Sequence, residues 1–252
     1  MEKTLSIGLM EHSSVNYISF KLDCDVMLEK LCHELAAYII YKYSNNLINM
    51  IINKNYGYLN NKEKAQIYKI AQHSFSNIRL VDGALFNNII QNNLYEYLTN
   101  RSVNTIVLDG FVLFRLGEYQ QQLENIVDLA VDEYLIMIEH ENLIKTIKEF
   151  IRTQKAKYRL IHICSDFSGR YFICDENFEE LTESQFLEDI AKENNFLINS
   201  DDLLLTALIN IAPKKIVFHK IENVDSKDFI DTLIKLFENK IIFCKGCSHC
   251  KR

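Results

Sequence analysis

Tryptophan is absent from this chain of 252 residues, proline occurs once and glycine only seven times. So little glycine leaves scant material for loops that wrap a phosphate in backbone N–H groups. Accordingly the chain contains no Gly-x-x-x-x-Gly-Lys, Gly-x-Gly-x-x-Gly or Gly-x-Ser-x-Gly sequence. P-loop, dinucleotide-fingerprint and hydrolase-elbow chemistry are thereby excluded. A basic excess is missing too, since 28 Lys and Arg face 34 Asp and Glu for a net charge of −6. General nucleic-acid binding needs the opposite balance. The most apolar helix-like run, residues 35–41, is bracketed by Glu34 and Lys42 and is too short to cross a bilayer. Residues 1–10 show no apolar secretion core and no small-residue cleavage site. The expectation is a cytoplasmic protein without membrane insertion. In reducing surroundings its seven cysteines are not a disulfide framework.

What is present is the material of a globular fold, 48% hydrophobic and 25% charged. Residues 4–9 and 15–22 alternate apolar and polar side chains, which reads as a strand pair. Asp25 offers an N-cap to a long helix over residues 26–53, where Leu28, Leu31, Leu35, Ile39, Leu47 and Ile51 form one apolar stripe. Gly57 closes it. Asn60 or Asn61 caps a second helix through 75, and Asp82 precedes a third over 84–98. Residues 105–116 begin extended and stay ambiguous around Asp109 and Gly110, whereas 118–153 are strongly helical.

The character then changes. Residues 158–164 and 170–174 read as a hairpin, followed by helices near 182–193 and 201–211, the latter ended by Pro213. A strand at 215–219, a helix at 226–239 and a strand at 241–243 make a βαβ unit, with the two strands parallel and adjacent. The fold class is therefore mixed α+β and α/β. A mainly helical region with a short strand pair occupies residues 1–154. A compact α/β region with a hairpin and a βαβ unit occupies 155–252, and the polar stretch 153–157 separates them.

The tail carries the chemistry. Cys244-Lys245-Gly246-Cys247-Ser248-His249-Cys250 is a C-x2-C-x2-C array directly behind the last strand. Thiolates suit zinc and iron, and this spacing lets the sulfurs converge on one atom. Gly246 eases the turn between the first two, and Lys245, Lys251 and Arg252 offset the surplus negative charge. The fourth ligand is open between His249, close in sequence, His219, on the neighbouring strand of the βαβ unit, and a residue of a second chain. Zinc leads an iron–sulfur cluster, because the C-x3-C-P partner of a ferredoxin array is absent. A redox-active C-x2-C and a metal-free solvated tail are the remaining readings.

Other constellations are weaker. Cys24, Cys32, Cys164 and Cys174 sit among apolar neighbours as small hydrophobes, although Cys164 and Cys174 could face each other across the hairpin. Glu124, Asp128 and Asp132 share a helical face but lack a Glu-x-x-His partner, so they read as a solvated acidic face. Glu139-His140-Glu141 lacks the second histidine of a zincin, and Ser200-Asp201-Asp202 reads as a helix cap. His33, His73, His140 and His162 each stand alone.

Four segments taken in order carry a resemblance: LDGFVLFRLGEY at 108–119, IVDLAVDEY at 126–134, DDLLLTALINIAPKKIVFH at 201–219 and FCKGCSHC at 243–250. Together they resemble the YtxC-like family of sporulation-associated proteins from endospore-forming Gram-positive bacteria. That resemblance implies a cytoplasmic protein linked to spore formation and supplies no catalytic residues. The expected function is thus a non-enzymatic protein with a structural metal at its C-terminus, in a homodimer or with a protein partner. A cluster-dependent or thiol redox protein, a hydrolase using scattered acids, and a metal-independent adaptor are the rivals.

Overall fold

A computed structural model of the chain describes residues 7–12, 15–20, 25–81, 83–101, 105–166, 170–181, 200–224 and 226–250. The helix expected over 182–193, the cap Asp82, the cysteine Cys24 and the cations Lys251 and Arg252 lie outside those residues. Two compact units, Met1–Met137 and Ile138–Arg252, divide the chain.

In the first unit, β1 (Ile7–His12) and β2 (Val15–Phe20) pair antiparallel, with Ile7 opposite Phe20. A third strand, β3 (Thr105–Val107), joins β2 antiparallel and sets the buried Ile106 against the buried Ile18. The ambiguous segment thus splits, because α4 (Leu108–Arg115) starts directly after β3. The apolar stripe of α1 (Asp25–Asn55) is buried along its whole length, as its spacing requires. A capping box opens α2 (Asn61–Val81). Asn60 Oδ1 accepts from the N–H groups of Lys62 and Glu63 at 2.9 and 3.1 Å, while Glu63 Oε2 accepts from Asn60 N–H at 2.8 Å. This helix runs past the expected end at 75, since the Ser76 hydroxyl is satisfied within it by donating to the Gln72 carbonyl at 2.8 Å. Two further helices are α3 (Gly83–Arg101) and α5 (Gly117–Thr153), the second of which crosses the division between the units. Phe75, Phe86 and Tyr119 pack in the core with ring centroids 5.3 and 5.7 Å apart in turn, the second pair edge to face. The Tyr119 hydroxyl shares a 2.7 Å hydrogen bond with Ser44, and burial pushes that phenol up to about 12.

The second unit is built on a four-stranded sheet in the order β5-β4-β6-β7. β4 (Ile161–Ser165) and β5 (Tyr171–Cys174) form the expected antiparallel hairpin, while β4 and β6 (Ile216–His219) run parallel. β7 (Ile241–Phe243) lies parallel to β6, and α7 (Lys227–Phe237) crosses between them as the βαβ reading requires. Ser226 caps α7 by accepting from Phe229 N–H at 3.2 Å. The other helix of this unit, α6 (Ser200–Ile211), is followed by Ala212 at a φ of 46° and then Pro213, which has no N–H to continue it.

Side chains alternate across a strand, so the register sorts this sheet into two faces. Ile161, Ile163, Ile216 and Phe218 belong to one apolar core with Leu204 and Leu208 of α6, Leu233 and Leu236 of α7 and Ile151 of α5. Their alternates His162, Cys164, Val217, His219 and Ile242 fall on the opposite face. Cys174 pairs with His162 and Cys164 with Phe172, so the two thiols sit diagonally and do not oppose each other as the hairpin reading allowed. Both are free. Among the described residues no helix is long and apolar enough to cross a membrane.

Leu233 is fully buried at the centre of the second core. Leu233→Ala should destabilise that unit by about 2–5 kcal/mol, from lost burial plus the cavity left behind. Urea unfolding should show a lower midpoint for the affected transition. An unchanged midpoint would contradict the packing described.

Candidate metal centre

The chemistry-bearing face of the second sheet is where the tail returns. β7 continues one hydrogen bond beyond Phe243, since Cys244 N–H donates to the Phe218 carbonyl at 2.8 Å. That bond places Cys244 beside His219 on the adjacent strand. The chain then turns through Gly246 at a φ of 103°, where L side chains are strained, and a Cys250 N–H bond to the Cys247 carbonyl at 3.1 Å closes the last turn. Register, glycine and turn together fold three sulfurs back onto one histidine.

His219, Cys244, Cys247 and Cys250 offer one ligand atom each, all within 4.8 Å of one another. Sulfur–sulfur separations are 3.8 Å for Cys244 to Cys250 and 3.7 Å for Cys247 to Cys250. His219 Nδ1 lies 3.3 Å from the Cys250 sulfur and 3.6 Å from that of Cys247. A tetrahedron with metal–sulfur bonds of about 2.3 Å and a metal–nitrogen bond of about 2.0 Å has edges of about 3.8 Å and about 3.5 Å respectively. Four of the six donor separations match such edges, and the group could hold a metal ion. His249 is placed elsewhere. Its ring stacks on Phe178 with centroids 3.8 Å apart and planes 9° from parallel.

The model of the YtxC-like family matches residues 29–242. The chain belongs to the YtxC-like family. A relative in Bacillus subtilis (strain 168), named "Uncharacterized protein YtxC", is 29% identical over 110 residues, covering 44% of this chain and 38% of that protein. The chain therefore matches well under two thirds of that relative's length. No solved structure matches. His219 lies inside the YtxC-like match while Cys244 begins two residues beyond it, so family membership and the metal reading rest on separate observations.

This YtxC-like chain also has a histidine that sequence reasoning set aside. His162 stands on β4, and its Nδ1 lies 2.9 Å from Nε2 of His219. The signal was present in the strand pattern, since His162 shares its face with His219, but the β4–β6 pairing that makes them neighbours links segments far apart in sequence. Phe178 stacks on the His162 ring at 4.0 Å and 21°. Cys164, Ser165, Phe172, Lys220 and Asn223 line a small open cavity of about 280 Å³ against His219 and Cys250. His33 and His73 make contacts within the first unit, to Gln91 and Asn77. Asp128 of the acidic face accepts from the Tyr56 hydroxyl at 2.7 Å, which leaves it a structural partner there.

Electrostatics suit metal ligation. Burial lowers the pKa of His219, with His162 and His249 adding to the effect, and so favours the neutral ring that can ligate. Burial likewise lowers His162. Burial opposes ionisation of Cys247, but N–H groups of Cys250 and His249 and the neighbouring thiols outweigh it and lower that thiol. Cys250 has an N–H bond from Cys247 that lowers it, yet burial and the two adjacent thiols prevail and raise it. Crowded thiols resist ionising together, and a bound cation removes that resistance.

Cys164 is a contrasting thiol, pushed up to about 11 chiefly by burial. In chelator-treated native protein at pH 8, iodoacetamide should therefore modify Cys247 well before Cys164, as read by peptide mass mapping. The Cys164 rate should rise about tenfold per pH unit below its pKa. Equal rates for Cys164 and Cys247 at pH 8 would contradict this placement.

Proposed function

We propose that this chain is a non-enzymatic, cytoplasmic protein of the sporulation programme whose C-terminal tail is held to its sheet by a structural zinc ion. His219 Nδ1 and the sulfurs of Cys244, Cys247 and Cys250 are its ligands. The observation that carries the reading is the set of four donor separations, 3.3 to 3.8 Å, which match four of the six edges of one tetrahedron. Iron–sulfur clusters place cysteine sulfurs on different irons and spread them farther apart, so these distances favour one ion over a cluster. Zinc suits the set because it takes mixed nitrogen and sulfur donors without redox change. Four protein ligands fill the sphere, which is the pattern of a structural site. The link to sporulation rests on the resemblance carried by the segments 108–119, 126–134, 201–219 and 243–250.

The ion's contribution is conformational. β7 is three residues long and only partly buried, and the seven residues after Phe243 have little apolar surface of their own to hold them. A ligand bound only by the folded tail stabilises it by RT ln(1 + [L]/Kd), about 4 kcal/mol at a thousandfold excess over Kd.

Purified full-length chain should contain one zinc per protein by elemental analysis, and Cys247→Ala should lose most of it. Chelation should lower the thermal midpoint of wild type and leave Cys247→Ala nearly unmoved. Equal metal in the two proteins would remove the proposed ligand set. Stoichiometric iron with visible absorption that bleaches on reduction would replace zinc by the redox reading.

A further inference from the structure

We infer that His162 is the positioning residue of this centre, its Nδ1 fixing the His219 ring in the tautomer that can give Nδ1 to a metal. The inference rests on the metal-binding reading above. His219 presents Nδ1 to the sulfurs of Cys250 and Cys247 at 3.3 and 3.6 Å. An imidazole that donates its Nδ1 lone pair must carry its proton on Nε2. That nitrogen lies 2.9 Å from His162 Nδ1, which then has to be the acceptor. Both side chains are buried, so no bulk water competes for the proton. Metal-bound histidines are usually oriented in this way, by a hydrogen bond from the ring nitrogen opposite the ligand atom. Here a second histidine supplies the acceptor that a carboxylate or carbonyl more often provides.

The acceptor is itself held. Phe178 packs against the His162 ring, and His249 stacks on Phe178 in turn, so three rings lie in a stack beside the thiols. Phe178 has a φ of 63°, unusual for a bulky residue. The turn that imposes it is tied at Asp175. The Asp175 carboxylate accepts from the N–H groups of Asn177 and Glu179 at 2.8 and 2.9 Å, and its carbonyl accepts from Phe178 N–H at 3.1 Å. The positive φ at Phe178 therefore places its ring flat against the His162 imidazole and limits that ring's rotation. His249, a candidate ligand by sequence, belongs to this outer layer.

The test compares His162→Leu, which removes the acceptor, with His162→Asn, whose side-chain oxygen can stand near the position of Nδ1. Zinc affinity is measured on each full-length protein against a chromophoric chelator, and Co²⁺ spectra report the coordination sphere. His162→Leu should bind zinc about 10–100-fold more weakly and shift the cobalt d–d bands. His162→Asn should recover most of the affinity and the wild-type spectrum. Phe178→Leu should weaken binding in the same direction by a smaller factor, which gives a second reading if His162→Leu folds poorly. Equal affinity and spectra in wild type and His162→Leu, or equal loss in the Leu and Asn variants, overturn the inference while leaving the zinc site intact. A wild-type chain that binds neither Zn²⁺ nor Co²⁺ overturns the metal reading and this inference with it.

Discussion

The parallel pairing of β6 with β7 is the constraint on which the candidate site depends. It is a short ladder, Ile216 to Phe218 against Ile241 to Phe243, extended by one bond from Cys244 N–H to the Phe218 carbonyl. Parallel strands cannot be joined by a tight turn, so the crossover helix α7 is part of the same device. Its Leu233 and Leu236 bury one face of the sheet and leave the other for polar side chains. Because pleat and pairing advance together, the bond that seats Cys244 also decides that it stands on the face of His219. A register slip of one residue would send that thiol toward the core.

What converges on that face is a chain of contacts that begins at the sulfurs. Thiols and His219 Nδ1 lie innermost, at the spacing of one tetrahedron. His162 comes next, joined to His219 by a hydrogen bond between two buried rings. Phe178 and His249 stack outside it. The same burial that lowers the histidine pKa values also makes crowded thiolates unfavourable without a counter-charge. Together these donors could hold a metal ion.

Much of the fold was legible because periodicity reports burial directly. The six stripe residues of α1 are all buried, and the Asn60 capping box forms as its residue types suggest. Strand–helix–strand order at the C-terminus led correctly to adjacent parallel strands, and through them to His219 as a neighbour of the thiols. His162 was missed for a related reason. Period two shows that it shares a face with Cys164, but nothing local says that β4 lies beside β6, since that pairing joins segments more than fifty residues apart. The diagonal offset of Cys164 and Cys174 is equally invisible locally, because a two-residue difference of hairpin register decides it.

The chain's own order of residues determined its class of fold, its family and the spacing of the three tail thiols. It did so because amphipathic periods, caps and the C-x2-C-x2-C spacing are local properties that need no knowledge of the partner surface. Tertiary structure alone decided which histidine meets those sulfurs, which nitrogen it offers and what stands behind it. Pairing between distant strands positions His219 and His162, and a turn held at Asp175 inserts the Phe178 ring. Those are long-range contacts whose geometry exists only once the sheet has closed its register.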